Sequence, residues 1–224
     1  MIKEKLKYGS IYFKIYAYVK LIFKERFFLP RKTYSQNGED IFIIKFFKNK
    51  TNGIYVDLGA FHPTRHSNTQ KLYSLGWVGT NIDLNPYAID LFNIVRKRDR
   101  NILAALAPKS YKTEVFFESY FSTTNTLISE HKKKFHKNKK NEMNYFIKTK
   151  TFDQLIKKKF DFLNIDLEGM DFKVLKTINL KKYSPKLICI EILKNKELIK
   201  VKKYFNEKNY KMIGKKNISY FFSK

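Results

Sequence analysis

Along most of the chain, short apolar runs alternate with segments whose apolar residues recur every three or four positions. A short, continuous apolar run is typical of a strand buried on both faces, whereas the longer period is typical of a helix with one buried side. The runs that predict strands lie at 53–59, 79–84, 101–107, 161–169 and 186–192. Because helical segments separate these runs, we expect a parallel sheet with helices on both faces.

The predicted helices lie before, between and after those strands, at 35–48, 67–75, 86–97, 151–158, 171–178 and 195–206. Thr151 is a candidate N-cap, and Pro86 stands in a first turn. Residues 114–119 predict a short added strand. The tail divides at 214–217 into two short strands, which predict an antiparallel edge of the sheet. Residues 129–144 are so highly charged that we expect a solvated helix or a mobile loop there.

Residues 1–33 differ from this pattern. Aromatic and aliphatic side chains recur there at helical spacing among lysines, and Pro30 ends the helix or redirects the chain. We therefore expect a basic amphipathic helix within 1–33, followed by a single domain over 34–224. The helix either packs on its own domain or makes a peripheral contact with a membrane surface, and the pattern alone leaves both open.

The composition fits one domain with a full core, since 43% of the 224 residues are hydrophobic. The chain has no run of about 18 apolar residues, and its start lacks the pattern of a signal peptide. We therefore expect a cytoplasmic protein, with the inner face of the membrane as an alternative location. The single cysteine, Cys189, excludes an internal disulfide framework and a multi-cysteine zinc site.

The net charge of +26 suggests two interpretations. A basic surface is typical of nucleic-acid binders, but Lys greatly outnumbers Arg here, and Arg provides most bidentate recognition of phosphates and bases. Abundant Ile, Asn, Phe and Tyr accompany the lysines, as a codon bias toward A and T would produce. We expect solvated surface lysines and a small-molecule or glycan acceptor rather than nucleic acid, and an oligomer remains open.

Acidic residues cluster where the predicted strands end. They are Asp57, Asp83, Asp166, Glu168 and Glu191. Ligands of parallel α/β sheets bind at the carboxyl ends of the strands, near the point where the strand order reverses. Burying unpaired carboxylates is costly, so several of them at one edge indicate a binding site.

The first two strands favour a nucleoside cofactor. Gly59 and Ala60 follow the first strand and allow a ligand to approach the backbone closely. Asp83 ends the next strand, where an acid hydrogen-bonds both ribose hydroxyls of a bound nucleoside. An alternative role for Asp83 is to cap the helix that begins near Pro86, although Asn85 can fill that role. A single glycine does not make a dinucleotide fingerprint.

Four stretches together resemble the FkbM-type methyltransferases: YSQNGEDIFI (34–43), YVDLGAFHPTRHSNTQKLYSLGWVGTNIDLNP (55–86), FLNIDLEGMDFKVLK (162–176) and PKLICIEI (185–192). The resemblance implies a Rossmann-like class I methyltransferase fold with a mostly parallel seven-stranded sheet. It implies S-adenosylmethionine as the methyl donor. It also implies O-methylation of a sugar or secondary-metabolite hydroxyl, such as an intermediate of a capsule, lipopolysaccharide or related surface polysaccharide.

The resemblance also implies the cofactor contacts: Asp57, Gly59 and Ala60 at the methionine end, Asp83 at the ribose, and Leu84 and Asn85 beside the adenine. The loop after the first strand is often glycine-rich in methyltransferases, whereas here residues 60–62 must make the turn. It therefore stays open whether Arg65 or Ser67 holds the carboxylate of the cofactor.

A neutral hydroxyl must lose its proton as it attacks a methyl group, so a general base is expected. The resemblance places Asp166 and Glu168 beside the methyl group, and strand alternation puts both on one face. They act directly, or they hold a divalent metal that acidifies the hydroxyl. His62, in the cofactor loop, is a third candidate base. The remaining histidines are interpreted as surface residues: His66, His131 and His136.

Two other function classes compete with this one. A nucleic-acid methyltransferase fits only the basic charge. The Asn/Asp-Pro-Pro-aromatic motif of amine methylation is missing after the fourth strand, where IDLEGMD stands. A cytosine C5 enzyme needs a Pro-Cys nucleophile, and Cys189 lies within a predicted buried strand. A non-catalytic membrane-associated scaffold is suggested by residues 1–33 but does not explain why each predicted cofactor contact is present.

Overall fold

The computed structural model describes residues 7–135 and 143–224. The strands are β1 (Ile54–Leu58), β2 (Val78–Asp83), β3 (Arg100–Leu103), β4 (Lys112–Phe117), β5 (Met143–Lys148), β6 (Phe162–Ile165), β7 (Leu187–Glu191), β8 (Lys211–Lys216) and β9 (Ser219–Ser223). The helices are α1 (Ile11–Val19), which continues in a π-helical turn (Lys20–Lys24), α2 (Glu39–Phe46), α3 (Gln70–Ser74), α4 (Pro86–Val95), α5 (Ser129–Phe135), α6 (Phe152–Leu155), α7 (Asp171–Leu175), α8 (Leu180–Tyr183) and α9 (Asn195–Asn206).

Seven strands form the main sheet, in the order β3-β2-β1-β6-β7-β9-β8. Strands β3, β2, β1, β6 and β7 are parallel to their neighbours, and β9 joins β7 in the antiparallel sense before β8 closes that edge. The predicted fold class, a mostly parallel seven-stranded sheet with an antiparallel C-terminal edge, is confirmed. The strand order reverses at β1. From β1 the chain adds β2 and β3 on one side, and it later adds β6 and β7 on the other side.

Strand alternation divides the core between the two faces of the sheet. Val56 and Leu58 point to the larger core, which α7 and α9 cover. Tyr55 and Phe162 point to the other core, against α2 and α3. Both cores are apolar because each strand is covered on both sides, which explains the continuous apolar runs in the sequence.

Several predicted boundaries agree with the structure. Helix α9 spans Asn195–Asn206 as predicted. Thr151 caps α6, and Gln154 completes a capping box by accepting the backbone N–H of Thr151 at 2.9 Å. The predicted strand 101–107 is shorter than expected, since β3 ends at Leu103.

The charged stretch 129–144 contains more regular structure than we expected. Its first part forms α5, whereas its end belongs to β5, a strand that the lysines concealed. Strand β5 pairs with β4 in a separate antiparallel hairpin, so the added strand predicted at 114–119 lies outside the main sheet. His136 lies outside the described residues.

The predicted N-terminal helix is present and ends at Lys24, before Pro30. Phe13, Ala17 and Leu21 are buried against Tyr87 and Leu91 of α4. One face of the helix therefore packs on its own domain. Within the described part of the chain, none of the helices has the length and apolar character that crossing a membrane requires.

Candidate active site

A cavity opens at the carboxyl ends of β1, β2, β6 and β7, beside the reversal in strand order. Of the residues that the sequence predicts as functional, those lining it are Asp57, Gly59, Ala60, Asp83, Leu84, Asn85, Asp166 and Glu168. Glu191 lines it as well. The prediction that strand-end acids converge on one site thus agrees with the geometry, because parallel strands end at the same edge of the sheet.

The turn after β1 brings the backbone of β1 close to that of β6. Gly59 has φ +76°, and a Cβ there would lie 1.6 Å from the carbonyl oxygen of Asp166, so no side chain fits. The amides of Gly59 and Ala60 both donate to the carbonyl of Ile82 on β2, at 2.8 and 3.2 Å. The turn therefore holds the ends of β1, β2 and β6 together with a single glycine, and Phe61 continues it at φ +51°.

Asp57 is buried, and the protein supplies a donor to each of its carboxylate oxygens. Thr69 Oγ1 donates to Oδ2 at 2.7 Å, and Asn164 Nδ2 donates to Oδ1 at 2.8 Å. Burial raises the pKa of Asp57, while these two hydrogen bonds oppose the rise. Asp57 thereby links the loop before α3 to the end of β6, and its main visible role is to fix the floor of the cavity.

Arg96, at the end of α4, braces the same loop and was missed from the sequence. Its side chain is fully buried and donates at 2.7–3.1 Å to five oxygens, which use all five N–H groups of a guanidinium. The acceptors are Gln70 Oε1, Tyr55 Oη, Thr69 Oγ1, the Pro63 carbonyl and Ser67 Oγ. Since Thr69 in turn donates to Asp57, the guanidinium supports the floor of the cavity from behind.

Asp83 is the last residue of β2, and each of its carboxylate oxygens accepts one hydrogen bond from a backbone amide. The backbone amide of Phe61 donates to Oδ2 at 2.8 Å, and that of Asn85 donates to Oδ1 at 2.7 Å. Burial raises the pKa of Asp83 to about 6, although the two amides stabilise the ionised form and oppose the rise. The capping of α4 falls to Asn85, whose Oδ1 accepts the amide of Tyr87 at 3.1 Å.

Asp166 and Glu191 form a carboxyl pair at the ends of β6 and β7. The two carboxyls interact, and each affects the pKa of the other. Burial first, and then the charge of Glu191, raises the pKa of Asp166 well above its usual range. Burial, together with the charges of Asp171 and Glu168, raises the pKa of Glu191 to about 8. Both carboxyls therefore lose their protons less readily than isolated carboxyls, and they titrate as a unit.

Glu168 is in a different environment from the one that strand alternation predicted. Strand β6 ends at Ile165, so Asp166 and Glu168 lie in the following turn, where Glu168 has φ +48°. Its carboxylate lies 3.0 Å from Nε2 of His131, and its carbonyl accepts Thr126 Oγ1 at 2.8 Å. His131 is buried and lines the cavity, so the prediction that it is a surface residue is wrong.

The structure keeps His62 and Ser67 out of the cavity. His62 is buried behind the loop, and its Nδ1 accepts the amides of Thr64 and Arg65, both at 3.1 Å. Burial lowers its pKa well below the usual value. Ser67 Oγ accepts from Arg96, so it stabilises the loop rather than a ligand. Arg65 lies beside a neighbouring shallow depression, whereas His66 is exposed and reaches the cavity mouth.

The segment before α5 covers the cavity from the other side. Ser122 and Thr124 line it while their hydroxyls donate to Glu118 Oε2 at 2.5 and 3.0 Å. Asn125 Oδ1 accepts the amide of Glu118 at 2.9 Å, which closes the segment on itself. The wall opposite the strand ends is thus hydroxyl-rich and polar.

The residues present fit a nucleoside cofactor. A carboxylate has about four acceptor positions, and the protein uses two at Asp83, which leaves one on each oxygen for a vicinal diol. The sheet edge beside it carries small or apolar residues, Gly59, Ala60 and Leu84, against which a nucleoside can lie. The described residues contain no group of three or more His, Cys, Asp or Glu side chains arranged to hold a metal.

Solved structures with similar chains include two provisionally described as RNA methyltransferases. One, from Pyrococcus horikoshii, is 13% identical with TM-score 0.44 and covers 88% of this chain and 91% of its own. The other, an rRNA methylase from Clostridium thermocellum, is 14% identical with TM-score 0.45, covering 87% and 97%. The 1,6-didemethyltoxoflavin N1-methyltransferase of Burkholderia thailandensis, solved with S-adenosylhomocysteine, is 10% identical with TM-score 0.41, covering 98% and 91%. Likenesses this distant do not indicate which acceptor the chain uses.

No curated protein shows significant similarity to the chain. The family model of the methyltransferase FkbM domain, in contrast, matches residues 57–212, which is more than half of the chain and runs from Asp57 through the strand-end acids to β8. The resemblance carried by the sequence motifs is thereby confirmed. The chain belongs to the FkbM methyltransferase family, and S-adenosylmethionine is its methyl donor.

Proposed function

We propose that the protein transfers the methyl group of S-adenosylmethionine to a hydroxyl of a sugar or glycan intermediate. The observation that carries the proposal is the Asp166–Glu191 carboxyl pair, which lines the cavity at the strand ends. An alcohol needs a base as it attacks, whereas a neutral amine carries its own nucleophilic lone pair. A carboxyl pair with raised pKa values is a strong base in its ionised form, which suits the alcohol.

S-adenosylmethionine supplies a methyl carbon on a sulfonium, and transfer forms the bond between the acceptor oxygen and that carbon while the electron pair stays on sulfur. The protein residues position the reactants and remove the proton. Asp83 binds the ribose through the open position on each oxygen, and the turn at Gly59 holds the strand ends that carry the acids. The hydroxyl proton passes to a carboxylate oxygen of the Asp166–Glu191 pair in its ionised form.

Burial makes the pair a stronger base than two isolated carboxylates. The second proton is held because two like charges at this distance repel each other, and the pair titrates as a unit. The pKa of Glu191 is raised to about 8, so the ionised pair is a stronger base than a carboxylate with an ordinary pKa. Glu168 lies next to the pair with His131, and we assign it to orienting the acceptor.

The hydroxyl-rich wall supports a glycan as the acceptor class. Ser122, Thr124 and Asn125 face the strand ends across the cavity with side chains that pair with hydroxyls. The carboxyl groups of Asp166 and Glu168, on the opposite side, can accept hydrogen bonds from hydroxyl groups of the acceptor. A polar acceptor with several hydroxyls is complementary to both walls.

An acceptor competition tests the proposal. The purified protein receives tritium-labelled S-adenosylmethionine and, in parallel, nucleotide sugars, surface polysaccharide fragments, total RNA and duplex DNA. We expect label in the sugar fractions, and unchanged transfer after EDTA because the carboxyl pair acts directly. Label in RNA or DNA alone would overturn the glycan proposal, and loss of transfer with EDTA would favour the metal version of the site.

A further inference from the structure

The N-terminal helix exposes a second apolar face that its own domain leaves uncovered. Phe13, Ala17 and Leu21 face α4, whereas Ile15 and Ile22 lie on the opposite side of the helix. We call the exposed set the outer face. Its members are Ile11, Tyr12, Ile15, Tyr18, Val19 and Ile22 on the helix, with Phe23, Phe28 and Leu29 after it.

The exposure of these side chains is large. Tyr12 is 71% exposed, Phe23 73% and Phe28 60%. Large apolar side chains scattered singly over a surface need no explanation, but here nine of them are concentrated within residues 11–29. Such a concentration marks a surface that another body covers.

The exposed charged residues within the segment that carries the outer face have one sign. Five exposed side chains of residues 7–32 are charged, and all five are cations: Lys7, Lys14, Lys24, Arg26 and Lys32. The single acid between residues 7 and 33 is Glu25, which is buried and lies 3.8 Å from the ammonium of Lys20. The segment thus presents an apolar centre with positive charge and no exposed negative charge.

We infer that the outer face docks the protein on an anionic lipid bilayer. An interfacial helix inserts aromatic and aliphatic side chains at the boundary between headgroups and acyl chains, while lysines extend their charged ends to the headgroups. Each Lys or Arg near an anionic surface adds about 1 kcal/mol of attraction. The outer face supplies both contributions in one segment.

A second copy of the chain fits this surface less well. A two-fold interface through the outer face brings the same patch together twice, so Lys14, Lys24 and Lys32 would meet the same cations of the partner. With Glu25 buried, the described residues of this segment offer no exposed acid to neutralise them. Like charges at a desolvated interface are unfavourable, whereas anionic headgroups supply the missing negative charge.

The buried side of the helix that carries the outer face contacts the segment that forms the wall of the active site. Phe121 contacts Phe13 and Tyr16 of α1, with ring centroids 6.2 and 5.9 Å apart, and the next residue, Ser122, lines the cavity. The inference itself does not depend on the proposed acceptor, because vesicle binding is measured without methyl transfer.

Co-sedimentation of the full chain with vesicles tests the inference. Vesicles of phosphatidylcholine with phosphatidylserine are compared with vesicles of phosphatidylcholine alone, at low and high salt. We expect binding to the anionic vesicles only, weakened by salt. The double substitution Ile15→Ser with Phe23→Ser, and separately the charge reversal Lys14→Glu, Lys24→Glu and Lys32→Glu, should each lower the partition coefficient by at least about tenfold.

Matched controls use equally exposed residues elsewhere. Ile199, 71% exposed, and Phe146, 67% exposed, become Ser in one control, and Lys196, Lys200 and Lys203 of α9 become Glu in the other. Both controls should bind vesicles like the unaltered chain, and all variants should bind S-adenosylmethionine normally.

Three results would overturn the inference: no binding of the full chain to anionic vesicles, an equal loss in the controls, or single-stranded oligonucleotide binding in place of vesicle binding. Light scattering can give a fourth contradicting result: the full chain is a dimer that does not bind vesicles, and the Ile15→Ser, Phe23→Ser double variant is a monomer.

Discussion

Asp166 and Glu191 meet because their strands are in register: Ile165 of β6 pairs with Ile190 of β7, and each acid is the next residue. Parallel strands in this register place the two carboxyl groups side by side at the edge where ligands bind. Neither residue alone is unusual at a strand end. Burial and this adjacency together raise the pKa of the two carboxyls, and the pair is the base that we propose for methyl transfer.

The first prediction concerns Asp166. Changing Asp166→Asn keeps the shape of the side chain and removes its charge, so turnover on the true acceptor should fall by about 10²-fold or more. Affinity for S-adenosylmethionine, measured by calorimetry, should stay the same because Asp83 is unaltered. Asp153→Asn, an equivalent change at an exposed acid of α6, is the control. Near-normal turnover in Asp166→Asn would make this acid structural.

A second prediction links Glu191 to pH-dependent stability. Its pKa is about 8 in the folded protein, above its ordinary value of 4.5. Between these values the folded state binds more protons than the unfolded state. The contribution of Glu191 to the free energy of unfolding is therefore fully present below pH 4.5 and is lost as pH rises through 8. Urea titrations from pH 5 to 8.5 should show a shallower decline in Glu191→Gln. Parallel curves for the two proteins would contradict the raised pKa.

The third prediction concerns cofactor binding at Asp83. Removing the carboxylate with Asp83→Ala should weaken S-adenosylmethionine binding by about 1.5–3 kcal/mol, as expected for hydrogen bonds to a charged group. Because the pKa of Asp83 is about 6 and the ribose hydroxyls donate to the ionised form, affinity should also decline as pH falls below 6. Asp83→Asn should lack this decline, whereas Glu207→Ala, on the surface, should behave like the unaltered chain. Unchanged affinity in Asp83→Ala would refute the ribose contact.

Arg96 gives the fourth prediction, on stability. Changing Arg96→Met leaves buried acceptors at Ser67, Thr69 and the Pro63 carbonyl without their donor. Removing one side of a buried charged network typically costs about 3–5 kcal/mol. Urea denaturation should show this loss, and Lys97→Met, an exposed neighbour with the same change, should stay near the unaltered value. A loss below 1 kcal/mol, on the order of a surface substitution, would mean that the network relaxes.

Local pattern was sufficient for the sheet and for the acids that surround the cavity. Continuous apolar runs located β1, β2, β6 and β7, and a residue at the end of a parallel strand must lie at the binding edge. Asp83, Asp166 and Glu191 were therefore identifiable from the sequence, although Glu191 was not included among the catalytic candidates. Its pairing with Asp166 depends on register, which single-strand patterns do not contain.

The residues that were misjudged depend on contacts between distant segments. His131 lies among lysines in the sequence, yet α5 turns it inward to Glu168. His62 stands in the cofactor loop, but the loop folds back so that its ring accepts backbone amides. Arg96 resembled any other basic residue at a helix end. Burial of a charged side chain is a property of the whole fold, and the local pattern does not reveal it.

The most direct test of the proposed mechanism is to identify the acceptor atom to which the methyl group becomes bonded. The protein and its Asp166→Asn variant receive S-adenosylmethionine with a ¹³C-labelled methyl group together with the sugar fraction that takes up label. Carbon NMR of the product then distinguishes a methyl on oxygen from one on nitrogen or carbon. We predict an O-methyl signal that requires Asp166. An N-methyl or C-methyl product, or an O-methyl product formed equally well by Asp166→Asn, would contradict this mechanism.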